Sequence, residues 1–129
     1  MKLKEVEKIL DSGRVWADNC PDYGEREVRL CHASDLMSDV LTFIGPGSLL
    51  LTGLTNAQVV RTAEVSDFIA ICFVRGKEPQ PDAVQLAAEK GIPLLGTTMP
   101  MYESCGRLFA EGLPGVKRKD GAESCRPQK

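Results

Sequence analysis

Four short segments of the sequence carry hydroxyls, amides and cations suited to holding a small anion: Ser34-Asp35, Thr52-Gly53-Leu54-Thr55-Asn56, Arg75-Gly76-Lys77 and Gly96-Thr97-Thr98. Donors of this kind beside arginine or lysine match phosphate-like oxygens. The candidate ligand-binding set is therefore Ser34, Asp35, Thr52, Gly53, Thr55, Asn56, Arg75, Gly76, Thr97 and Thr98. Helix capping is the competing use. Ser34, Thr55 and Thr98 each stand where a helix is expected to begin, and a cap contributes about 1 kcal/mol with no ligand at all. Capping, however, makes no use of Arg75 or Gly76.

Other chemistries are poorly served. His32, Ser34 and Asp35 have the types of a hydrolytic triad, but neighbours along a strand point to opposite faces, so residues this close rarely converge. His32 reads better as a partly buried ring with a local hydrogen bond, and no catalytic residue is assigned. Neither a G-x-x-x-x-G-K-[ST] loop nor a G-x-G-x-x-G turn is present. The five cysteines never form a Cys-x-x-Cys pair and the single histidine has no companion, so neither metal nor cofactor is expected. Cys31, Cys72 and Cys105 read as small buried hydrophobes, whereas Cys20 and Cys125, in polar surroundings, are expected to be exposed.

The elements that must bring the four segments together follow from composition and periodicity. The chain has 129 residues, 16 Lys plus Arg against 18 Asp plus Glu, and 43% hydrophobic residues, which suits one globular domain. A formal charge of −2 is not the electrostatic footprint of a nucleic-acid binder. The first ten residues alternate charge with apolar groups, unlike a signal peptide, and the densest apolar run, Phe68 to Val74, is far short of the roughly 20 residues of a membrane span. A cytoplasmic protein without nucleic-acid or membrane partners is expected. From Pro114 onward five basic and two acidic residues with few apolar ones suggest a mobile basic tail over 115–129, leaving 1–114 as the folded domain with a net charge of −5.

Leu3, Val6, Ile9 and Leu10 share one side of a helix ending at Ser12-Gly13, and Arg14 to Ala17 is a brief strand. Four strand-like stretches then begin near Val28, Ser48, Phe68 and Ile92, each followed by helical signals. Met37, Val40, Leu41 and Ile44 predict a helix ended by Gly45-Pro46-Gly47. Thr55 and Gln58 match a capping box ahead of Val59, Val60 and Ala63. Phe68 to Val74 is apolar on both faces, as in a central strand covered above and below. Pro81 and Gly91 bracket a further helix, and the last runs from about Pro100 to Gly112. Such alternation predicts an α/β fold, a mainly parallel sheet with helices on both faces, whose loops at the carboxyl ends of the strands are the four polar segments.

Three stretches carry a family resemblance: Leu51 to Val60, Ile71 to Pro79, and Ala87 to Thr97 with its Lys90-Gly91-Ile92-Pro93 lead into a strand. Together they resemble the DRTGG domain, and the chain is also similar to the N-terminal domain of HPr kinase/phosphorylase, over about Met1 to Pro114. The turns that name the domain read Gly53-Leu54-Thr55 and Val74-Arg75-Gly76 here, so the Asp and Arg of the first turn are absent and Arg75 is the available cation. The resemblance implies a regulatory or assembling role beside separate catalytic domains, with some single-domain relatives encoded beside iron hydrogenases in anaerobes.

The expected function is thus a non-catalytic regulatory module, a homodimer that senses a small anionic metabolite or nucleotide or docks on a protein partner. The alternative is a small phosphotransfer or hydrolytic enzyme using Asp35, Ser34 or His32. A third reading makes Met99, Met101 and Tyr102 an exposed contact patch, against their use in the core.

Overall fold

The computed structural model describes residues 1–44 and 46–118. Helix α1 (Leu3–Ile9) leads through Leu10 to strand β1 (Arg14–Trp16), and a 3-10 turn (Tyr23–Glu25) precedes β2 (Leu30–Ala33). A single-turn α2 (Met37–Val40) and β3 (Phe43–Ile44) follow, then β4 (Ser48–Thr52), α3 (Ala57–Val65), β5 (Phe68–Phe73), α4 (Pro81–Lys90), β6 (Leu94–Gly96), α5 (Met101–Ala110) and β7 (Lys117–Arg118). The main sheet has the order β1-β6-β5-β4-β2; its last four strands are parallel and β1 is antiparallel, pairing Arg14 with Gly96. The chain therefore has the α/β architecture its sequence predicts, with one reversed edge strand.

Because β4 and β5 are apolar on both faces, each face needs its own cover. One face packs Leu49, Leu51, Ala70, Cys72 and Leu95 beneath Leu3, Val6 and Leu10 of the first helix and Leu108 of α5. The other packs Leu50, Ile71, Phe73 and Leu94 against Val59, Val60 and Ala63 of α3 and Ala83 and Ala87 of α4. Helix α4 starts at Pro81 and ends on Gly91 at φ 67°, where the Ile92 amide donates to the Ala87 carbonyl. Proline needs no amide partner there, and glycine tolerates the left-handed stop.

Several expectations are corrected. The helix expected through Ile44 stops at Val40: the Thr42 hydroxyl donates to the Asp39 carbonyl (2.6 Å) in a turn, and Phe43–Ile44 leaves to pair antiparallel with Lys117–Arg118. In the stretch beyond Pro114, the Val116 amide donates to the Cys31 carbonyl and Val116 is buried. The remainder of the expected tail, with Cys125, lies outside the described residues. Cys20, expected to be exposed, is buried. Cys72 is also buried, and desolvation pushes its thiol up to about 12, which keeps it a neutral core group.

Leu50 is fully buried in the α3/α4 layer. Leu50→Ala is expected to cost about 2–5 kcal/mol, read as a lower urea midpoint at unchanged m-value.

Candidate functional site

The loop after β2 meets the loop after β4 through one carboxylate. Asp35 Oδ1 accepts from the Thr52 hydroxyl (3.1 Å) and from the Gly53 amide (2.6 Å), while the same hydroxyl accepts from the Leu54 amide (3.2 Å). Gly53 leaves room for the arginine as it lies here. A Cβ there would stand 2.7 Å from Arg75 Nη2 and 3.5 Å from both Asp35 oxygens, so its absence lets the Arg75 guanidinium lie across the turn. Among the described residues no carboxylate comes within 4.0 Å of that guanidinium, which leaves an exposed cation beside two strand-end loops.

The backbone delivering Arg75 is unusual. Arg75 (φ 60°) and Gly76 (φ 71°) are consecutive left-handed residues, a conformation glycine adopts freely and arginine does not. Their amides are not free for a ligand: Arg75 donates to the Met99 carbonyl (3.0 Å) and Gly76 to the Thr97 carbonyl (2.9 Å). The β5 loop is thereby fastened to the β6 loop, and side chains, not backbone amides, remain to meet an anion.

A recess of about 390 Å³ opens on the far side of this fastening, lined by Asp11, Arg14, Gly76, Lys77, Thr98 and neighbours. Arg14 reaches it because β1 runs antiparallel, which puts the start of that strand at the carboxyl ends of the others. It pairs with Glu78 and stacks over Trp16 with 5.2 Å to the ring centroid. Sequence reasoning did not include Asp11, Arg14 or Glu78. Only the orientation of β1 could have found them, and three residues carry no signal of strand direction.

The ten expected ligand residues thus divide. Asp35, Thr52, Gly53 and Arg75 form one cluster, and Gly76, Thr97 and Thr98 line the adjoining recess. Within that recess Thr97 is committed inward, its hydroxyl donating to the Leu10 carbonyl (2.7 Å) and accepting from the Met99 amide (3.2 Å). Ser34 closes a local turn by accepting from the Leu36 amide (3.0 Å), and the Thr55 carbonyl receives the Gln80 amide. None of the three expected caps has a capping role. Asn56 caps α3 by accepting from the Val59 amide, while Leu36 and Pro100 precede α2 and α5 without side-chain caps.

His32 does not join Ser34 and Asp35. Its ring is buried against Phe43 (centroids 4.6 Å apart) and Phe68, and Nε2 lies 3.6 Å from Asp39 Oδ2 with no hydrogen-bond partner among the described residues. Among the described residues, Nε2 therefore lacks the local hydrogen bond expected for this ring. Burial lowers its pKa from the ordinary 6.5, against a smaller upward pull from Asp39. In the ferry of chain from β6 to β7, Met99 and Met101 are half-buried on the α1/α5 core, whereas Tyr102 is exposed.

No family model and no curated protein matches this chain. Among solved structures it is similar to the crystal structure of the CBS and DRTGG domains of the regulatory region of Clostridium perfringens pyrophosphatase, complexed with the activator diadenosine tetraphosphate. The TM-score is 0.65 at 15% identity, over 92% of this chain and 51% of that one. The chain spans about half the length of that structure, and the likeness shows a DRTGG-like α/β fold.

Two outcomes follow from this geometry. Arg75→Gly relieves the left-handed strain and is expected to raise stability by about 1 kcal/mol in urea unfolding. For His32, a folded pKa below the unfolded one means that the unfolded state gains the proton first. The stability that neutral His32 contributes is complete above about pH 6.5 and is lost as pH falls through and below that value. His32→Gln is expected to flatten this slope between about pH 7 and 5, measured as urea midpoint against pH.

Proposed function

We propose that the chain is a regulatory module that binds a small phosphorylated metabolite or nucleotide at the carboxyl edge of its parallel sheet. The observation that carries this is Arg75: a left-handed arginine whose guanidinium crosses the Gly53 turn without a carboxylate partner within 4.0 Å among the described residues. Left-handed backbone at a non-glycine residue costs free energy, and such strain clusters at ligand sites. A guanidinium presents paired N–H donors that fit phosphate oxygens, and Lys77, in the adjoining recess, adds a second cation. The similar pyrophosphatase regulatory region, complexed with a nucleotide activator, supports the same class of ligand.

Regulation suits these residues better than turnover. The Ser34 hydroxyl is engaged with Leu36, Asp35 with Thr52 and Gly53, and His32 faces Asp39 and two aromatic rings, so a phosphotransfer or hydrolytic reading has no nucleophile and base in contact. Kinship with HPr kinase/phosphorylase and a place in hydrogenase metabolism rest on the sequence resemblance alone, and no side chain at this edge speaks for either.

Thermal unfolding in the presence of ATP, diadenosine tetraphosphate or acetyl phosphate tests the proposal. A probe at a hundred times its dissociation constant is expected to add about 2.7 kcal/mol of stability, and Arg75→Ala to remove that gain while keeping the circular dichroism of the fold. A flat response to all three probes, or a gain that survives Arg75→Ala, overturns it.

A further inference from the structure

Asp35 and Arg75 flank the same glycine without pairing. The point where a Gly53 Cβ would stand is 2.7 Å from Arg75 Nη2 and 3.5 Å from each Asp35 oxygen, yet the two groups make no ion pair within 4.0 Å among the described residues. The carboxylate is only half engaged. Oδ1 takes the Thr52 hydroxyl and the Gly53 amide, whereas Oδ2 has no hydrogen-bond partner among the described residues. A cationic donor and a free anionic acceptor therefore border one gap, and an anion on the guanidinium makes no use of the acceptor.

We infer that this gap takes a hydroxyl of the ligand, so that the preferred ligand is a phosphorylated polyol, such as a sugar phosphate or a ribonucleotide, and Asp35 sets the preference. The inference rests on the anion site read at Arg75 and names its ligand class. Hydrogen bonds of ordinary length, about 2.9 Å from N–H and about 2.7 Å from O–H, let one oxygen reach both Nη2 and Oδ2 where the groups themselves stand too far apart to pair. That oxygen must accept from the guanidinium and donate to the carboxylate. A hydroxyl does both. An ionised phosphate oxygen only accepts, and beside Oδ2 it meets a like charge, so the phosphate is directed to the other N–H groups of Arg75. A divalent cation at Oδ2 would stand beside the guanidinium, which repels it. Because the Thr52 and Gly53 bonds hold Oδ1 in place, the carboxylate is oriented before any ligand arrives.

Isothermal titration of the full chain in the presence of EDTA decides, with two matched pairs of probes: glycerol 3-phosphate against propyl phosphate, and ATP against 2′,3′-dideoxy-ATP. The members of each pair share their phosphate charge and differ in hydroxyls. The wild type is expected to bind the hydroxylated member at least about tenfold more tightly. Asp35→Asn keeps an acceptor for Thr52 and Gly53 but turns the second oxygen into a donor, and is expected to bring the members of each pair within about twofold of each other. Gly53→Ala, which puts a methyl group into the gap, is expected to do the same, and a ratio taken within one variant is not moved by a general loss of stability. A preference confined to one pair supports the inference and tells sugar-phosphate from nucleotide chemistry. Equal affinities within both pairs in the wild type, or a preference that both variants keep, overturn it and leave the anion site standing. No binding of any probe overturns both.

Discussion

Two adjacent strands without a polar face set the terms for everything else. Ser48 to Thr52 is buried throughout, and Phe68 to Phe73 nearly so. In water such strands would each expose two apolar surfaces, at roughly 25 cal/mol for every Å² left uncovered. A helical layer on each side removes both surfaces, and parallel crossovers are the connections that deliver helices to both sides. That requirement also sends every strand-to-helix loop of the parallel set to one end of the sheet. The polar edge with Asp35, Gly53, Arg75 and Thr98 is a by-product of burying the strands.

At that edge, order and strain are balanced. Asp35 fixes the β4 turn by holding both the Thr52 hydroxyl and the Gly53 amide, and the β6 loop holds the β5 loop through the amides of residues 75 and 76. Hydrogen bonding of this density secures a left-handed arginine that would otherwise relax. The guanidinium is thus placed by its backbone and by the missing side chain of Gly53, with no ion pair to consume it.

Much of this was legible in the residues, and the exceptions have more than one cause. Phe68 to Val74 announces a buried strand because no polar residue interrupts it, and Pro81 with Gly91 marks a helix because each has a conformational reason to stand at its end. Ile44 fits the helical spacing of Met37 and Val40 equally well, yet it belongs to a strand whose partner is more than 70 residues away. Non-local pairing of this kind leaves no periodic trace. The caps expected at Ser34, Thr55 and Thr98 went astray by one or two positions, since hydroxyls and amides serve turns as readily as helix starts. At the candidate site, the residue types of the four loops were readable, but the reversal of β1 that brings Arg14 to the same edge was not. The outer face of α5 was half visible in Tyr102.

The hydrogen bond from the Arg75 amide to the Met99 carbonyl ties the arginine loop to the approach of α5. Met99 stands two residues ahead of α5, so the peptide that fixes the arginine also fixes the start of the helix bearing Tyr102 and Phe109. A shift in either member is felt by the other across a single peptide unit. Were the arginine loop and the outer face of α5 each to take a ligand, any coupling carried by this peptide unit would act equally in both directions.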